Sequence, residues 1–100
     1  MARLSWTREA VVSLREIHDY IARDRPATAF RTVESIIDKV QSLTGAPELG
    51  QRYTYLPEQR VHHLSYGHFR IAYLLAPNAD GDDDVVILGV FHGLIFLPLR

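Results

Sequence analysis

The sequence predicts an α+β fold: a short N-terminal strand, an antiparallel helical hairpin, and an antiparallel β-meander that the hairpin covers. Three observations predict it. Two stretches with helical apolar spacing follow one another in the first half, separated only by Asp24-Arg25-Pro26. Three β-rich runs fill Arg60 to His92, the first two joined by a turn at Gly67-His68. Along those runs the residues alternate between faces, so the meander has an apolar side and a side that carries Arg and His.

Leu4-Ser5-Trp6 reads as a short first strand. Thr7 is a good N-cap, and a helix follows from Arg8 to Arg23. Ala10, Leu14, Ile17 and Ile21 form its apolar stripe, while Arg8, Glu9, Arg15, Glu16, Asp19 and Arg23 mostly take the other side. Pro26 suits the first turn of a second helix, where its missing N–H costs nothing. That helix is expected from about Ala27 to Leu43, with Phe30, Val33, Ile37 and Val40 in one row and Ala29, Ile36 and Leu43 widening it. Gly45 and then Pro47 stop it. The short break makes the pair an antiparallel hairpin, and each helix offers one stripe, for which the sheet's apolar face is the partner.

Residues 45–59 read as a connecting loop, with Tyr53, Tyr55 and Leu56 either packing it down or adding a short edge strand. In the meander, Phe69, Ile71, Tyr73 and Leu75 share one face and Arg70, Ala72, Leu74 and Ala76 the other. The last strand, Val85 to His92, is apolar on both faces and belongs in the sheet interior. The chain then runs Gly93-Leu94-Ile95-Phe96-Leu97-Pro98-Leu99-Arg100, an apolar tail that must pack on the domain, bind a partner or make a dimer contact.

One hundred residues make one domain, spanning 1–100 with 93–100 as its tail. No run of about 18 apolar residues predicts a membrane span, and Met1 to Trp6 lacks the apolar core of a secretory signal. With no cysteine there is no disulfide or thiolate metal site, which fits a cytoplasmic protein. The net charge of −1, from 11 basic and 12 acidic residues, is not the footprint of a general nucleic-acid binder. Four of the acids cluster at Asp80, Asp82, Asp83 and Asp84.

That cluster suggests calcium only superficially. With Asp80 as the first position of an EF-hand loop, Val85 falls where glycine is required, so a charged hairpin loop is the better reading. His62 and His63 alternate to opposite faces and cannot ligate one metal as neighbours. No metal and no cofactor is expected. His92, ending the last strand, has the chemistry of a general acid or base. Arg60 and Arg70 begin adjacent strands and Arg52 precedes them. Guanidinium groups at one end of a sheet can clamp a phosphate, hold a partner's carboxylate, or pair with the helices. No nucleophile elbow or phosphate-binding glycine loop is present.

The order strand, helical hairpin, loop, meander carries particular residues with it. They are Ala10, Ile17 and Tyr20-Ile21; Pro26 and Ala29; Pro47-x-x-Gly50; Arg60; Phe69-Arg70-Ile71-Ala72-Tyr73; and Val85-x-Ile87-Leu88-x-Val90-x-His92. Together, from about Leu4 to Gly93, they resemble the ParE/RelE superfamily of type II toxin–antitoxin toxins. The resemblance implies one of two activities: ribosome-dependent mRNA cleavage in the RelE-like branch, or inhibition of DNA gyrase by binding in the ParE-like branch.

The long hairpin is similar to the ParE-like branch. For a RelE-like nuclease the resemblance implies Arg60, His63, Arg70 and His92 as the catalytic set. Yet Gly93-Leu94-Ile95 stands where basic residues are expected and the tail has no tyrosine. ParE-like chains often carry a charged run after the last histidine, and this tail departs from that too. The ParE-like reading implies no catalytic residues and a cognate antitoxin that neutralises the toxin. The partner-contact set is then the hairpin flank with Arg60, Arg70, Leu94, Ile95, Phe96 and Leu97. A homo-oligomer within a toxin–antitoxin complex is compatible with this reading. A non-toxic binding subunit derived from such a system is the remaining alternative.

Overall fold

The computed structural model describes residues 2–54 and 59–92. The chain runs β1 (Leu4–Trp6), α1 (Arg8–Ala22), α2 (Pro26–Gln41), a 3₁₀ turn (Ser42–Thr44), β2 (Gln51–Arg52), β3 (Val61–Tyr66), β4 (Phe69–Pro77) and β5 (Asp83–His92). The expected α+β architecture is present, and the sheet has five strands in the order β1-β5-β4-β3-β2. The sheet is mixed, because β1 lies parallel to β5, with Leu4 beside Val85 and Trp6 beside Ile87, while the other neighbours are antiparallel. β5 is therefore interior, as its two apolar faces predicted.

Local chemistry sets the helix starts. The Thr7 hydroxyl accepts from the Ala10 amide at 3.0 Å, and Pro26 opens α2. α2 stops at Gln41 and tightens into the 3₁₀ turn, two residues earlier than the apolar row suggested. Both helices cover one face of the sheet. Ala10, Ile36, Val40 and Leu43 meet Ile71, Tyr73, Leu75, Val85, Ile87 and Val90 in a single core, with Leu14 and Ile17 packed at its margin. The buried α2 stripe is the widening set, Ala29, Ile36 and Leu43, together with Val40 from the row. Phe30, expected in the row, is 62% exposed on the hairpin's outer side.

An edge strand does form after the loop, but at Gln51–Arg52 rather than around Tyr53; Tyr55 and Leu56 lie outside the described residues. Tyr53 follows it, buried, with its amide donating to the Val61 carbonyl at 2.7 Å. The loop before β2 is held by Tyr73. Its buried hydroxyl donates to the Pro47 carbonyl at 2.7 Å and accepts from the Gly50 amide at 2.9 Å. A Cβ on Gly50 would stand 2.6 Å from the His63 carbonyl oxygen, so only glycine lets the loop come this close. The Pro47-x-x-Gly50 spacing thus has a mechanical reason.

β5 contains a bulge. Ala72 pairs with Gly89 but Tyr73 pairs with Ile87, which leaves Leu88 as the extra residue. β1 ends at Trp6, so beyond Ile87 the outer edge of β5 has no strand beside it among the described residues. The start of α1 takes over. The Thr7 amide donates to the Ile87 carbonyl at 3.0 Å, and the Thr7 hydroxyl to the Leu88 carbonyl at 3.4 Å. The Val90 amide donates to the Ser13 hydroxyl at 3.0 Å, and that hydroxyl donates to the Ala10 carbonyl at 2.8 Å. The capping residue Thr7, through its amide and hydroxyl, and the Ser13 hydroxyl thereby satisfy part of that edge.

Candidate functional site

The bulge decides which functional side chains meet. Before it, Val85 and Ile87 point to the helices; after the extra residue, Val90 and His92 do. His92 pairs with Phe69, and their rings stand edge to face at 5.3 Å on the helix-covered side. Arg70 pairs with Phe91 on the opposite side, the open side in the sense that neither described helix covers it. His63 pairs with Ala72 and so shares that open side with Arg70. The Phe91 ring lies back over Gly89, where an added Cβ would come within 2.7 Å of it. The open side therefore gathers Tyr53, His63, Arg70 and Phe91, with the Tyr53 and His63 rings edge to face at 6.4 Å.

Arg60 is elsewhere. It and Arg70 do precede or begin adjacent strands, but antiparallel pairing sends those starts to opposite ends of the sheet. The Arg60 carbonyl accepts from the Leu75 amide at 3.0 Å, and Leu75 is five positions along β4 from Arg70. Five positions of strand span about 17 Å. The expected clustering of Arg60 and Arg70 at one end is thus corrected. Arg60 makes a two-pronged ion pair with Asp83, both contacts 2.7 Å, and approaches Glu48 at 3.6 Å. The hydrogen bonds from Arg60 hold the Asp83 carboxyl below the ordinary carboxylate range, and the same bonds raise the guanidinium further.

The acidic loop is built, not merely solvated. The Asn78 side-chain oxygen accepts from the amides of Asp80 and Asp82, and its nitrogen donates to Asp84. That bond, with one from the Arg3 amide, lowers the Asp84 carboxyl. Among the described residues no three His, Cys, Asp or Glu side chains are grouped to hold a metal ion. Nor is any described helix long and apolar enough to cross a membrane.

The histidines divide as alternation required. His62 is buried against the core, its ring stacked on Tyr73 at 5.4 Å. His63 titrates below the ordinary histidine value, first because burial disfavours its charged form and then because Arg70 and His62 are close.

A family profile described as the ParE toxin of the type II toxin-antitoxin system, parDE, matches residues 4–94. The chain belongs to the ParE toxin family. Among solved structures, it is similar to a chain of the chromosomal ParDE toxin–antitoxin system from P. aeruginosa, with 24% identity over 93% of this chain and 97% of that one. The TM-score of 0.72 makes this a likeness of fold. No individually curated protein matches.

Within this ParE-family chain, a cleft of about 440 Å³ opens between α1 and the ends of β4 and β5. Ile17, Tyr20, Ile21, Phe69 and Val90 line it, with His92 at its edge. Sequence reasoning missed this cleft. Tyr20 was legible as a resemblance residue, but its role at a rim depends on where the bulge turns β5. Leu94, Ile95, Phe96 and Leu97 lie outside the described residues.

Proposed function

We propose that this ParE-family toxin inhibits DNA gyrase by binding it and is neutralised by a cognate antitoxin. The single observation that supports a binding mode is the separation of the four residues a RelE-like nuclease would need. Arg60 is ion-paired to Asp83 at the far end of the sheet, His63 and Arg70 share the open face, and His92 faces the helices. Cleavage of a phosphodiester calls for an acid, a base and cations around one phosphate. Residues on two faces of a sheet cannot converge on one phosphorus atom.

The antitoxin reading rests on the family. Its contact surface is proposed to include the hairpin flank, Arg60, Arg70 and the apolar residues Leu94, Ile95, Phe96 and Leu97. Exposed apolar groups on the hairpin flank, Val11 (46%), Val12 (46%) and Phe30 (62%), suit a partner helix laid across it. A supercoiling assay with purified gyrase tests the target. Added toxin should inhibit supercoiling near one toxin per gyrase subunit pair. Full supercoiling at large stoichiometric excess overturns gyrase as the target.

A further inference from the structure

We propose that the outer face of the helical hairpin pairs two copies of the free protein, α1 of each lying over α2 of the other. This face is turned away from the sheet, and it is not polar throughout. Val11 and Val12 are each 46% exposed and Phe30 is 62% exposed. A shallow groove of about 410 Å³ runs between the helices here, lined by Val11, Leu14, Arg15, His18, Asp19 and Val33. Exposed apolar groups alone do not name an occupant. The charges around them do.

The turn between the helices centres on Asp24, so a residue of α1 is level with the α2 residue equally far beyond the turn. Val33 beside Leu14 and Arg15 in the groove fits that alignment. The helical period puts Arg8, Arg15 and Asp19 on the outward ridge of α1, and Arg31, Glu34 and Asp38 on the outward ridge of α2; all six are exposed. Toward the turn, α1 carries positive, positive, negative. At matching levels α2 carries negative (Asp38), negative (Glu34), positive (Arg31). Among the described residues, Asp19 meets His18 at 3.0 Å, and the other five make no ion pair within the chain. Glu16 turns aside to the α1 cleft and Lys39 to the flank beside Tyr66.

A two-fold axis parallel to the helices keeps every level in place and exchanges the ridges. It sets Arg8 opposite the partner's Asp38, Arg15 opposite the partner's Glu34, and Asp19 opposite the partner's Arg31, each pair occurring twice. Phe30, level with His18, comes to lie over the partner's groove. A foreign helix of one charge sign meets like charges on both ridges, whereas the image of this face meets opposite charges at all three levels. Arg23, Asp24 and Arg25 sit at the turn, past these levels. Two helices about 22 Å long and about 10 Å apart give a small interface, so the dissociation constant is on the order of 10 µM. The antitoxin helix proposed for this flank covers the same groups, so the pairing belongs to the toxin without its antitoxin.

Sedimentation equilibrium of the full chain from about 1 to about 500 µM tests this. The parent is expected to pass from monomer to dimer over that range. Arg15→Glu and Glu34→Arg should each raise the dissociation constant at least about tenfold, because the symmetry makes every substitution count twice. The double variant R15E/E34R should return it to within about threefold of the parent. Both positions are exposed, so the helices persist, and unchanged circular dichroism checks this. An Arg15–Glu34 contact inside one chain would show the same rescue in melting temperature but not in mass. Phe30→Ala, which removes an exposed side chain, should weaken the dimer several-fold. A parent that stays monomeric throughout, reversals that leave self-association unchanged, or a double variant no better than the single ones each overturn the inference. Neither antitoxin nor gyrase is present in these measurements, so their failure is distinct from failure of the proposed function.

Discussion

Ser13→Ala removes one oxygen that holds the bulged end of β5 to the first helix. The hydroxyl accepts from the Val90 amide at 3.0 Å, and Val90 is only 2% exposed, so water has little access to replace it. Leaving a buried N–H without an acceptor costs about 1–3 kcal/mol. The donation from Ser13 to the Ala10 carbonyl matters less, since that carbonyl keeps its own helical partner. Alanine also favours a helix over serine by about 0.5 kcal/mol, which offsets part of the loss. The larger effect wins, and the net destabilisation is about 1–2 kcal/mol. For a domain of this size that is roughly 4–8 °C of Tm per kcal/mol. Hydrogen exchange localises it: the Val90 amide should exchange about 5- to 30-fold faster. Ser13→Thr keeps the hydroxyl and should retain most of the stability. An unchanged Tm together with unchanged Val90 protection in Ser13→Ala refutes the reasoning that α1 satisfies the open edge of β5.

Three further outcomes follow from the same geometry. Tyr73→Phe leaves the Pro47 carbonyl and Gly50 amide without their shared partner and should cost about 1–3 kcal/mol in denaturant melts, while Gly50→Ala should destabilise by forcing its Cβ against the His63 backbone. Asp83 has its folded-state pKa lowered by Arg60, so the pair stabilises the fold above about pH 4 and that contribution is lost as pH falls through the lowered value; Arg60→Met should therefore move the acid-unfolding midpoint to higher pH, and an unmoved midpoint would remove the ion pair from the account. His63 also titrates low, so its contribution to stability is complete above about pH 6.5 and declines as pH falls from there toward its folded-state value; an NMR titration placing His63 at or above the ordinary histidine value contradicts its burial beside Arg70.

Much of the fold was legible because its signals are local. Thr7 caps, Pro26 opens a helix, and Gly67-His68 turns a hairpin through short-range chemistry that any stretch of sequence displays. The centre of the α2 stripe was read one position off because Phe30 and Ala29 both fit a helical row, and only packing shows that the smaller residue goes inside. The site was less legible, for two physical reasons. Strand direction is a property of pairing, so the near-identical positions of Arg60 and Arg70 relative to their strands hid about 17 Å of separation. A bulge leaves no mark in apolar alternation when both faces are apolar, as in Val85 to Val90, so the face of His92 could not be read from its neighbours. Pro47-x-x-Gly50 was visible as a pattern, and the buried Tyr73 hydroxyl supplies its reason.

Under the proposed function, growth arrest comes from binding and not from a shared Arg/His active site. The most direct measurement expresses the chain without an antitoxin and compares it with a folded Arg70→Ala/His92→Ala double variant, reading growth and the 5′ ends of cellular transcripts together. The account predicts growth arrest by the parent with no new codon-dependent transcript ends, and arrest largely retained in the double variant. Transcripts cut within translated codons by the parent, with cutting and arrest both abolished in the double variant, would contradict it.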